Sequence, residues 1–137
     1  MSTNLQWADS VVLLAGDLER ARDFYTNSLG MVMAGGDEDA VVFRTESGGW
    51  LILISPHRAD ALLGAGNVDH GLANAARTYN VAQVENVDQA CEVLRSRGVE
   101  FFREPESHPW GIRTAFFRDP DGHVWEISSD LPDETDA

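Results

Sequence analysis

The chain contains no lysine; all ten cationic side chains are arginine. Schiff-base and lysine general-base chemistry are therefore excluded. Cysteine is nearly missing too. The single Cys91 cannot close an internal disulfide, which fits a reducing compartment. Positive charge is scarce, with 10 basic against 23 acidic residues and a net charge of −13. Without a basic patch to displace counterions from phosphates, nucleic acid is excluded as a partner. An acidic surface instead attracts cationic ligands over long range. Long apolar runs are also absent. None approaches the ~20 residues that span a bilayer, and MSTNLQWADS lacks the basic-then-apolar order of a signal peptide. The expectation is a cytoplasmic chain with no membrane partner.

What is present suits a single domain. The 137 residues are 43% hydrophobic, enough for one core and too few for two full-sized ones. Residues 11–15, VVLLA, form a β-branched and aliphatic run. Asp17 stands where a helix N-cap belongs, and Leu18, Ala21, Tyr25 and Ser28 then share one helical face up to the stop at Gly30. Extended segments are expected at about 31–35, 40–45 and 50–55, with turns at the Gly-rich positions between them.

The pattern then recurs. Residues 79–84 read as a strand, and Asn86 with Gln89 has the capping-box form. Val87, Ala90, Cys91 and Leu94 lie at i, i+3, i+4 and i+7, one apolar helical face that ends at Gly98. Strands are expected at about 99–105, 111–118 and 123–129, the last two joined by the turn Asp119-Pro120-Asp121-Gly122. Asn86 follows Asp17 by 69 positions and Gly98 follows Gly30 by 68. The order β-α-β-β-β therefore occurs twice, as modules 8–56 and 78–130, joined by a connector at 57–77 that reads as a short helix or flap, with an acidic tail at 131–137.

DLERARDFYTNSLGM behind a strand, and a second unit ending in RDPDGHVWEIS, resemble the vicinal oxygen chelate superfamily, which includes glyoxalase I, extradiol dioxygenases and bleomycin-resistance proteins. The resemblance covers residues 8–130 and implies an α+β fold. Two βαβββ modules would form a cupped, mixed eight-stranded sheet with helices on its outer face, within a homodimer. In metal-using members, four cavity-facing positions carry His or Gln, Glu, His and Glu. The corresponding positions here hold Ser10, Leu53, Tyr79 and Glu126. A divalent ion needs several converging N or O donors, and only Glu126 is a good one. No cofactor is expected on that count.

Strand alternation predicts a small-molecule pocket lined by Ser10, Val12, Leu14, Leu51, Leu53, Tyr79, Val81, Gln83, Val124, Glu126 and Ser128. The alternative is that the same residues fill a plain core. Buried, Glu126 needs a partner, for which Arg113, Tyr79 and Gln83 are candidates. HPWGIR resembles the bleomycin-resistance branch, whose members sequester a ligand without catalysis. That resemblance implies Trp110 as an aromatic platform, with Arg113 as its polar neighbour. The leading expectation is a non-catalytic homodimer that binds a planar or cationic drug or metabolite through Trp110, Arg113, Tyr79, Gln83, Leu53, Ser10 and Glu126. The alternatives are a metal-dependent lyase, isomerase or dioxygenase using Glu126 with atypical ligands, and a metal-free enzyme with Glu126 as base and Tyr79 as acid.

Overall fold

A computed structural model describes residues 10–68 and 78–132. Two compact units meet in sequence between Gly71 and Leu72. Parts of the connector and tail, His70 among them, lie outside the described residues.

The first unit opens with β1 (Ser10–Leu14) and the helix α1 (Leu18–Asp23). Asp17 caps that helix, its carboxylate accepting from the Arg20 N–H at 3.1 Å. The last turn widens into a π-turn over Phe24–Ser28, where the Leu29 N–H reaches the Phe24 carbonyl and the Met31 N–H reaches that of Tyr25. This extra turn delays the next strand. β2 runs Met33–Asp37, two residues later than the spacing predicts, and β3 (Ala40–Arg44) and β4 (Trp50–Ile54) complete a sheet of order β1-β4-β3-β2. β1 and β4 are parallel; the other pairs are antiparallel.

Pairing assigns the faces of this sheet. Phe43 lies opposite Leu51, and Leu13 and Val41 lie opposite Leu53. Tyr25, fully buried, packs its ring 6.0 Å from that of Phe43. The Leu51–Leu53 face is therefore the one under α1 and its π-turn. Burying one such aromatic side chain contributes about 1.5–3 kcal/mol. Ile52 and Ile54 face the other way, where Ala40, Ile54 and Ala59 form a cluster with Leu14, Ile52 and Val68 against α2 (Pro56–Leu63). The start of the connector is thus helical. Ser55 caps α2 by accepting from the Arg58 N–H, and it donates to Asp39 at 2.7 Å. Arg58 pairs with Asp37 at 2.9 Å, tying the helix to the β2–β3 turn.

The second unit repeats the plan. β5 (Asn80–Gln83), α3 (Val87–Ser96), β6 (Phe101–Ser107), β7 (Ile112–Arg118) and β8 (Val124–Asp130) give a sheet of order β5-β8-β7-β6. Asn86 caps α3, accepting from the Gln89 N–H at 3.0 Å. The eight strands thus fall into two four-stranded mixed sheets with the same internal order, an α+β fold of two βαβββ modules. No helix among the described residues is long and apolar enough to cross a membrane.

Candidate functional site

Glu126 sits at the middle of β8, the inner strand between β5 and β7. Its register partners are Val81 on β5 and Phe116 on β7, while Ser128 pairs with Gln83 and Thr114, and Val124 with Arg118. Partners in register project to the same side of a sheet. One face of the second unit therefore carries Val81, Gln83, Thr114, Phe116, Arg118, Val124, Glu126 and Ser128. The opposite face carries Arg113, Ala115, Phe117, Trp125 and Ile127.

One aromatic ring, Phe116, stands beside the carboxylate in register on the first face. Phe116 meets Tyr79 edge-on at 5.6 Å and Phe102 at 6.1 Å. The Arg118 guanidinium stacks over Phe102 at 3.9 Å. Tyr79, just ahead of β5, keeps half its surface exposed, as do Val81 and Phe102. Glu126 itself is only 8% exposed, with buried Thr114 and Ser128 on the same face. Burial pushes its carboxyl above the ordinary value of 4.5, and the charge of His108 pulls partly the other way.

His108 reaches this face from the β6–β7 turn. Its Nε2 lies 2.8 Å from the Thr114 hydroxyl, and its ring stacks on Trp110 at 4.6 Å and 11°. Gly111, at φ 95°, allows the chain to double back within three residues, and the His108 N–H bonds the Ile112 carbonyl at 2.8 Å. Trp110 stays 70% exposed. On the other side of the domain-end hairpin, Asp119 organises the β7–β8 turn: its carboxylate accepts from the N–H groups of Asp121 and His123 at 2.9 and 2.8 Å.

Two of the site residues read from the sequence are placed differently. Arg113 projects from the opposite face of β7, where it makes a bidentate pair with Asp88 of α3 at 2.8 and 2.9 Å and reaches Ser107 at 3.0 Å. It is neither the partner of Glu126 nor the cavity neighbour of Trp110. It fastens a helix to a strand. Leu53, at 1% exposure, faces α1; the β1–β4 register puts Ile52, not Leu53, beside Val12. Ser10 is exposed at the start of β1. Tyr79, Gln83 and Glu126 do share one face, and Trp110 joins it through His108. His108, Thr114, Phe116 and Phe102 were absent from the sequence-derived site. The alternation from Glu126 to its β7 partners could have found Thr114 and Phe116.

The donor set does not fit the four-ligand metal site that the family resemblance implies. Leu53 has no donor atom and points to a helix, Ser10 is a weak ligand, and Tyr79 leans on Phe116. Among the described residues, no three His, Cys, Asp or Glu side chains converge.

Comparison with known proteins gives the same fold. A family model described as Glyoxalase/Bleomycin resistance protein/Dioxygenase superfamily matches residues 7–127. A glyoxalase/bleomycin resistance protein/dioxygenase from Nocardioides is 26% identical, with a TM-score of 0.80 over 95% of this chain and 87% of that one. A superfamily member from Sphaerobacter thermophilus is also 26% identical, at a TM-score of 0.68, covering 90% of this chain and 97% of its own. The fold is shared, at 21% identity and a TM-score of 0.67, with a lactoylglutathione lyase from Agrobacterium tumefaciens, over 87% of this chain and 90% of that one. A search of curated proteins finds no match. The chain belongs to the glyoxalase/bleomycin resistance protein/dioxygenase superfamily.

Proposed function

We propose that this protein binds a small planar molecule on the Glu126 face of its second sheet, and that it does so without a catalytic metal. The observation that carries the reading is the aromatic group of Tyr79, Phe116 and Phe102 on the same face as buried Glu126, with Phe116 its register partner. Apolar walls supply affinity and a sparse polar group supplies orientation, which is the usual composition of a small-molecule pocket. The family includes drug-sequestering members, so a planar or cationic drug or metabolite is the class of ligand we favour. The cytoplasmic homodimer expected from the sequence belongs to the same proposal, and light scattering on the purified chain tests the dimer.

Calorimetric titration with bleomycin-type and other planar compounds tests the binding. A saturable heat is expected from at least one of them. Phe116→Leu should weaken it by about 2–10-fold, the contribution of one aromatic contact. No saturable binding across the panel refutes the reading.

The raised carboxyl of Glu126 supports a second reading, metal-free acid–base catalysis with Glu126 as the base. Turnover found in a substrate screen and retained in full by Glu126→Gln removes that option.

A further inference from the structure

Strand register identifies equivalent positions in the two units. Val12, Ile52 and Val42 lie abreast in the first sheet as Val81, Glu126 and Phe116 do in the second. Ile52 is therefore the counterpart of Glu126, and the two sheets have corresponding faces. Their coverage differs. In the first unit α2 and Val68 lie on that face, packed with Ala40, Ile52 and Ile54. In the second, no helix follows β8 among the described residues.

The hold on α2 is uneven along its length. Ala59 is its one buried side chain, and a single methyl group brings little apolar area to a sheet. From Ala61 to Asn67 every residue is exposed, Leu62 at 69% and Leu63 at 58%. By comparison, α3 buries Val87 and Cys91 and half-buries Ala90 and Leu94 beside them. The polar attachments of α2 are gathered at its first turn. Arg58 pairs with Asp37 at 2.9 Å, and Ser55 donates to Asp39 through its hydroxyl at 2.7 Å and its N–H at 2.9 Å. The Asp37 carboxylate also accepts from the Asp39 N–H at 2.8 Å, so both attachments end on one small turn.

We propose that α2, with the 3-10 turn Ala65–Asn67 behind it, is a strap that lifts from the first sheet while the rest of the unit stays folded. It peels from the exposed Leu62–Leu63 end, releases Arg58 from Asp37 last, and uncovers the Ile52–Ile54 face. Segments with few buried apolar contacts open at the low end of local stabilities. The open form shows, in the first unit, the surface that corresponds to the Glu126 face of the second.

Native-state hydrogen exchange on the full chain, with and without low urea, tests the strap. The helix amides from Ala59 to Gly64 are read against those of β4 in the same unit, each relative to its unfolded rate. The α2 amides are expected to exchange about 100-fold faster or more than those of β4. Low urea should leave the α2 rates nearly unchanged, because lifting exposes little surface, while the β4 rates climb. Arg58→Met and Asp37→Asn should each speed the α2 amides by about 2–5-fold, the value of one exposed pair, and leave β4 unmoved. Arg113→Met, which frees α3 from its strand, should leave α2 unmoved. Exchange of α2 at the β4 rate and with the β4 urea dependence overturns the proposal. So does a latch variant that speeds both segments equally, or one that changes neither.

Discussion

Glu126→Gln should make the protein more stable near neutral pH, although it alters the most distinctive residue of the site. The wild-type carboxyl is raised above 4.5 by burial. At low pH both the folded and the unfolded chain hold its proton, and the residue carries no electrostatic cost. As pH rises through 4.5 the unfolded chain ionises first, so stability falls until the higher folded-state value has been passed, and it is level beyond that. Glutamine never ionises. The variant's advantage is therefore close to nil at pH 4 and complete at pH 8. Ionising a carboxyl that burial disfavours costs on the order of 1–3 kcal/mol, as for other buried polar groups. The residual 8% exposure of Glu126 places the effect toward the lower end of that range. For a chain of this size, about 1–2 kcal/mol raises Tm by roughly 3–8 °C. Thermal melts and urea titrations of both proteins at pH 4, 6 and 8 measure it. A variant less stable than wild type at pH 8, or an advantage as large at pH 4 as at pH 8, would show that the carboxylate is satisfied in the folded protein.

Further outcomes follow from the scaffold. Arg113→Met should loosen α3 without touching the Glu126 face. Arg113 holds the Asp88 carboxyl below 3.8, so its support is present above that value and is lost as pH falls through the depressed one. The variant should acid-unfold at a higher pH than wild type, and amides of α3 should exchange faster. Gly36→Ala places a Cβ 2.4 Å from the Ala40 carbonyl oxygen at φ +146°, and should cost about 1–3 kcal/mol in urea unfolding. Gly35→Ala, with nothing within 4 Å, should cost less. Cys91 is buried, and burial pushes its thiol up. Local opening of about 3 kcal/mol alone slows its reaction with a disulfide reagent at pH 8 about 100-fold relative to free cysteine, and denaturant should restore the rate.

Much of the second module was legible because β8 alternates over Trp125–Ser128, with Glu126 and Ser128 marking one side and Trp125 and Ile127 the other. Counting by twos from Glu126 assigns Val124 and Ser128 to its face, and the same parity from Tyr79 assigns Val81 and Gln83, as the register confirms. The first module hides its phase. WLILI is apolar throughout, since α1 covers one side of β4 and the cluster around Ile54 and Ala59 occupies the other. With no polar residue to mark a side, a one-position error put Leu53 in the cavity. Only the pairing of Val12 with Ile52 reveals it. Arg113 misled for a different reason. An arginine on a strand beside a solvent-facing turn reads the same whether it meets a ligand or a helix, and its partner Asp88 lies 25 residues away. His108 is not legible as a site residue, because its bond to Thr114 depends on how the β6–β7 turn closes. The late start of β2 came from a π-turn, which the helical period does not anticipate.

The split of β7 between its two faces has a practical corollary for anyone rebuilding this protein. Positions 114 and 116 touch the carboxylate side, whereas 113, 115 and 117 hold the strand to its helix and its inner packing. A combinatorial library should respect that parity. Varying 116 and 126 samples new chemistry on the Glu126 face, while changes at 113, 115 and 117 act on the packing against α3 and the inner side. One strand of seven residues thus encodes two separately tunable surfaces, interleaved one residue apart.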